Sequence, residues 1–240
     1  MNRLLGTACV LPPALAFAAA FAMSTSLPAQ DSETPRPKVA ASPPGRPDSS
    51  LVSGGLYKAD PDHTLVEWSV DHLGFSPYFG LFGDVTGTLH LEPQRPEQAR
   101  VAVTIPVSSV TVVSPGLKQH LLKPPRTEGG KPDFFGPAPE DARFVSTMVR
   151  TTGEDQAEMT GNLTLNGITN PVTLDVRFHG AGTMPKAMGG GEVIGFEATG
   201  TFKRSDFGMD FSIPLVSDRV DLRIAAAFIK DTGDNPSGEN

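Results

Sequence analysis

Cysteine is almost missing. The single one, Cys9, lies in the first stretch of the 240-residue chain, which is read below as a segment that is removed. What remains can form no disulfide, thiol nucleophile or cysteine-ligated metal site. Export permits disulfides, so a chain that does without them needs a core large enough to hold its fold. Positive charge is also scarce, with 20 Lys+Arg against 27 Asp+Glu and a net charge of −7. Loss of Arg3 with the first segment leaves 19 against 27, or −8. That balance argues against nucleic acid as a partner, where phosphate neutralisation dominates affinity, and supplies no polybasic patch for anionic lipid. There is no nucleophile elbow, phosphate loop or zinc-protease motif. The five histidines (His63, His72, His90, His120, His179) form no close pair with metal-ligand spacing. No metal, cofactor or catalytic residue is therefore assigned.

An unbroken apolar run of about 20 residues, as a membrane span requires, is lacking too. The run from Leu4 to Met23 is interrupted by Pro12 and Pro13. With Arg3 before it and Leu27-Pro28-Ala29 after it, residues 1–29 read as a secretory signal peptide, cleaved after Ala29 or alternatively after Ala22. The expected location is periplasmic or secreted. Residues 30–54 hold Pro35, Pro37, Pro43, Pro44 and Pro47 and few large apolar residues. Such a segment buries too little surface to offset its ordering entropy and is read as a disordered linker. The tail 231–240 reads likewise, leaving 55–230 as one folded unit without internal repeats.

Inside that unit the signal has period two. Val66, Trp68 and Val70 alternate with polar neighbours, as do Leu81, Val85, Leu89 and Leu91, read as one strand. The same holds for Val101 to Val107, Met159 to Leu165, Val172 to Phe178, Ile194 to Phe202 and Val220 to Phe228, with Phe144 to Val149 a noisier eighth strand. Alternation gives each strand one dry and one wet face, as in antiparallel sheets and unlike parallel ones buried on both sides. Asn166-Gly167 between two such strands is a strong hairpin signal. Gly189-Gly190-Gly191 separates the next pair. Ser114-Pro115 followed by Leu117, Leu121 and Leu122 predicts a short capped helix. Residues 72–79 and the Pro/Gly-rich stretch 124–139 read as irregular. The class is all-β, and periodicity leaves a two-sheet sandwich and a closed barrel equally open.

A resemblance narrows the choice. Tyr57-Lys58-Ala59-Asp60, Val70-Asp71-His72-Leu73-Gly74-Phe75-Ser76, Thr86-Gly87-Thr88-Leu89, Val107-Ser108-Ser109-Val110-Thr111, Asp133-Phe134-Phe135 and Gly161 to Val172 occur in a fixed order, ending with Arg204-Ser205-Asp206-Phe207-Gly208-Met209. In these pieces the chain resembles the YceI-like family of exported, lipocalin-like barrels that bind polyisoprenoids. The resemblance implies an eight-stranded antiparallel barrel whose ends are closed by a short helix and irregular loops. It also implies a non-catalytic role in transport, storage or sequestration, with a hydrophobic small molecule inside (a polyisoprenoid, an isoprenoid quinone or a fatty-acid-like lipid). A homodimer stays open, since a long apolar ligand can bridge two protomers. The segment 123–132 is an insertion relative to that family.

On the dry faces the candidate ligand-contacting residues are Val66, Trp68, Val70, Phe79, Leu81, Val85, Val103, Met159, Leu163, Val176, Phe178, Phe196 and Ile224, for each of which plain core packing is the competing reading. Gly83, Gly87, Gly161 and Gly200 either open a void or relieve strand curvature. His72, His120 and Arg204 are candidate polar groups at the pocket mouth, although an Arg204–Asp206 ion pair is the preferred reading of that turn. An enzyme on the same barrel would need His72, His120 and Asp133 to converge.

Overall fold

The computed structural model describes residues 42–233. The signal segment, residues 30–41 of the linker and residues 234–240 lie outside the described residues. Eleven strands follow: β1 (Gly45–Arg46), β2 (Gly55–Ala59), β3 (Leu65–His72), β4 (Ser76–Phe82), β5 (Thr86–Leu91), β6 (Arg100–Ile105), β7 (Ala142–Gly153), β8 (Gln156–Leu165), β9 (Ile168–Thr183), β10 (Glu192–Lys203) and β11 (Arg219–Lys230). One helix, α1 (Pro115–Leu121), stands between β6 and β7.

All pairings are antiparallel. From β5 to β11 each strand pairs the next, and β11 then returns to β2 and β3, pairing Phe228 with Ala59 and Ile224 with Val66. Because β2 also pairs β5, the ring closes. β2 and β3 lie end to end along β11, and β5 and β4 lie along them, so eleven strands make a barrel of eight staves. Closure removes the edges that a sandwich would leave, and the inward residues of all staves share one interior.

Local chemistry explains the turns. Asn166 and Gly167 both take positive φ, +52° and +74°, as a two-residue hairpin between twisted strands requires. The Asn166 side chain then donates to the carbonyls of Phe134 and Phe207 at 3.4 and 3.3 Å, fastening two loops to the turn. Ser114 caps α1 by accepting the Leu117 N–H at 3.3 Å, with Pro115 in the first turn.

Three expectations need correction. The stretch 81–91 is two strands, broken at Gly83 and at Asp84, whose φ is +55°. Residues 72–79, read as irregular, complete the β3–β4 hairpin. The linker reading fails from residue 42 onward. β1 pairs β9 at Gly182 and Ala181 beyond the point where β8 ends, and Leu51 and Val52 pack on the core. An unpaired strand edge is a liability that a short covering strand removes, and Gly180 and Gly182 leave room for it: a Cβ on Gly182 would stand 2.1 Å from the Pro44 carbonyl oxygen.

Candidate functional site

Inward-facing side chains enclose a cavity of about 610 Å³. That is the size of a small-molecule site. The wall is apolar, and its residues behave unlike those of a filled core. Val66, Trp68, Val70, Val103, Val176 and Ile224 point inward yet remain half-buried, because they face the cavity and not other side chains. Val85, Met159 and Leu163 share the wall and are buried, and Phe196 completes this set of sequence candidates.

Phe79, Leu81 and Phe178 are not on the wall. Phe79 and Leu81 face outward, 51% and 36% exposed. The break at Gly83-Asp84 shifts the side-chain phase by one residue, so in β4 it is Tyr78 and Phe82 that face the cavity, while Val85, just before β5, and Leu89 and Leu91 within it do so. Phe178 meets the edge of the Phe196 ring at 5.8 Å, and Phe196 takes the wall position in front of it.

The interior glycines are not the origin of the void. Gly161 has the Phe144 ring where a Cβ would go, at 2.3 Å, and Gly200 has Leu174 at 2.6 Å. Gly87 approaches the Ala102 carbonyl, and Gly83 alone among the four faces open space apart from Leu65 at 3.7 Å. Medium-sized valines, leucines and alanines leave the cavity; the glycines admit neighbouring rings and backbone.

The two ends differ. At one, Tyr57 is fully buried and donates to Glu192 Oε1 at 2.6 Å, while Glu192 also accepts from the Ser53 N–H and hydroxyl at 2.9 and 2.5 Å. Lys230 donates to Ser53 Oγ at 2.8 Å and to the Gly54 carbonyl, and sits 5.0 Å from the Tyr57 ring centre. Burial first, then the neighbouring Glu192 carboxylate, pushes the Tyr57 hydroxyl up to about 12. Burial alone would raise Glu192, but the Ser53 and Tyr57 hydrogen bonds outweigh it and hold the carboxyl below its usual range. This polar clasp ties the starts of β2 and β10 to the end of β11, at the end where no wall residue is exposed.

The other end carries α1, the 122–141 loop and the 204–218 loop. Among the described residues, the only exposed members of the wall are His72 and Ser114, and both lie here. The cavity therefore opens at this end. His120 stands between the Phe134 and Phe211 rings, 5.3 Å from each. Its Nε2 lies 3.2 Å from Asp133 Oδ2, which also takes Lys123 at 2.8 Å and Arg126 at 3.2 Å. Those hydrogen bonds, led by Lys123, hold the Asp133 carboxyl far below the usual carboxylate range. The 123–132 insertion thus contributes two cations to the mouth, beside Phe211.

Arg204 lines the cavity but makes no bond with Asp206. Only 3% exposed, it donates to the carbonyls of Ser217, Met209 and Val216 at 2.8, 2.8 and 2.9 Å. Burial lowers its pKa. Three N–H groups are used of the five a guanidinium has. The sequence signal for an ion pair misled because short spacing does not fix side-chain direction. Of His72, His120 and Asp133, the structure joins His120 to Asp133 by a hydrogen bond, while the His72 backbone bridges to Val216. Phe211 and Phe135, which also line the cavity, carried no periodic signal, and Leu117 was read as part of the helix without a place on the wall. Among the described residues there is no group of three His, Cys, Asp or Glu able to hold a metal, and no helix long and apolar enough to cross a membrane.

Comparison with known proteins agrees with this geometry. Residues 57–228 match the YceI-like domain. A UPF0312 protein of Pseudomonas fluorescens is 36% identical over 190 residues, covering 76% of this chain and 93% of its own length. Protein YceI of Escherichia coli is 37% identical over 172 residues, 70% of this chain and 84% of its own. The crystal structure of the Campylobacter jejuni YCEI protein is 27% identical with a TM-score of 0.53, covering 67% of this chain and 90% of that one. On its sequence, its closed barrel and these relatives, the chain belongs to the YceI-like family.

Proposed function

We propose that the protein binds one apolar lipid, a polyisoprenoid or the tail of an isoprenoid quinone, and carries, stores or sequesters it in the periplasm or outside the cell without catalysing its conversion. The observation that supports this is the half-buried state of inward-facing residues around an apolar cavity of about 610 Å³. Each methylene transferred there from water contributes about 0.8 kcal/mol, so a long tail is held without a polar anchor even after ordering costs. The sequence candidates that lie on the wall are the proposed contacts, with His72, His120 and Arg204 nearest the ligand's outer end. A catalytic role is less well served, because the carboxylate that meets His120 is already clasped by Lys123 and Arg126.

Native mass spectrometry of protein recovered from its own cells, followed by organic extraction, tests the reading. The expected result is a defined hydrophobic adduct. A bare protein mass, with nothing extractable and no uptake of an added isoprenoid quinone, overturns it.

A further inference from the structure

Large apolar side chains stand in water where the turn chemistry does not call for them. The β8–β9 hairpin turns through Asn166 and Gly167 at φ of +52° and +74°. The β3–β4 hairpin turns through Leu73 and Gly74 at +62° and +69°. Asparagine adopts this left-handed conformation readily, and leucine does so at a cost. Leu73 is nevertheless 44% exposed, and Phe75 beside it is 87% exposed. The Leu73 N–H donates to the Leu215 carbonyl at 2.8 Å, and Leu215 is itself 62% exposed. Two loops are thus tied into one platform bearing three apolar tips.

Their position carries the argument further. His72, next to Leu73, bridges to Val216, next to Leu215, and both His72 and Val216 line the cavity. The tips therefore stand on the rim of the open end, immediately outside the residues that face the interior. Resting on the lipid reading above, we infer that this rim docks on a lipid bilayer. Leu73, Phe75 and Leu215 enter among the headgroups and bring the mouth against the membrane, so that the ligand passes between bilayer and barrel without crossing water. Apolar residues on separate turns suit a fluid interface, into which each tip inserts alone.

The test compares the protein, in the form its cells accumulate, with a Leu73→Asn/Phe75→Ser variant. Asn166 shows that asparagine fits the turn, and position 75 is exposed, so the fold and its thermal midpoint are expected to persist. With vesicles of phosphatidylcholine and phosphatidylglycerol (about three to one), co-sedimentation should fall about tenfold or more, as expected for two lost apolar contacts. Transfer of an isoprenoid quinone from those vesicles should slow to match. Trp68, the single tryptophan and a wall residue, reports that transfer by quenching. Quinone delivered from detergent micelles should quench both proteins alike. Unchanged sedimentation and transfer in the variant overturns docking. So does a wild-type dimer that the variant dissociates while neither protein binds vesicles. If quinone quenches neither protein even from micelles, the lipid reading fails separately, and the sedimentation arm alone still decides docking.

Discussion

At the scale of residues, the clasped end shows how much one hydroxyl can hold. Tyr57 joins Glu192, Ser53, Gly54 and Lys230, which come from three distant stretches of chain. A folded-state pKa of about 12 against about 10 unfolded means the fold favours the neutral phenol. Its contribution is therefore complete below about pH 10 and is lost as pH rises through the folded value. Tyr57→Phe is expected to cost about 1–3 kcal/mol at neutral pH, the cost of losing a hydrogen bond to a charged partner. It should also remove the part of the alkaline loss of stability that falls between about pH 10 and 12. Thermal midpoints across that range check this. Absorbance titration adds a second view, because the chain has two tyrosines and the transition near 12 should vanish in the variant. The Trp68 indole is a different case. Its Nε1–H is the only buried side-chain donor among the described residues without a partner. It lies over Gly80, where a Cβ would stand 2.2 Å from the ring.

At the scale of elements, the sequence was legible wherever one rule governed a whole stretch. Strand alternation located β6 to β11 and most of β3, and the Asn166-Gly167 and Ser114-Pro115 signals located a hairpin and a helix. It was not legible where a single backbone angle reset the phase. Asp84 at φ +55° put Tyr78 and Phe82 on the wall in place of Phe79 and Leu81, and no composition rule marks such a break. The mouth was only partly legible: Phe211 and Phe135 reach the cavity from loops, and loops have no period to read. β1 escaped for a third reason. Two residues pair there because an edge needs covering, and the edge exists only in the assembled barrel. Gly182→Val is therefore expected to displace β1 by collision with Pro44 while leaving the barrel closed. Hydrogen exchange should rise at residues 44–52 with the β10–β11 amides still protected. Protection of 44–52 that survives the substitution would refute the account.

At the scale of the whole molecule, the interior is set by closure rather than by any one stave, which is why no short motif announces it. Eight staves, each with an apolar inner face, enclose space whose outline depends on the register of all of them. The ends are unequal: one is knotted by Tyr57 and Glu192, and the other is ringed by His72, Ser114 and Phe211. A tube clasped at one end is a gauge as well as a container. A tail that goes in blind end first has a fixed depth available, and whatever exceeds it stays outside. Affinity for a series of prenyl chains should then climb by about 0.8 kcal/mol per added methylene equivalent until the chain touches the knot, and level off beyond it. Titration of Trp68 fluorescence with quinones of increasing tail length would show the break. Its position would give the usable length of the barrel, whereas a climb without a plateau would mean that the knotted end yields.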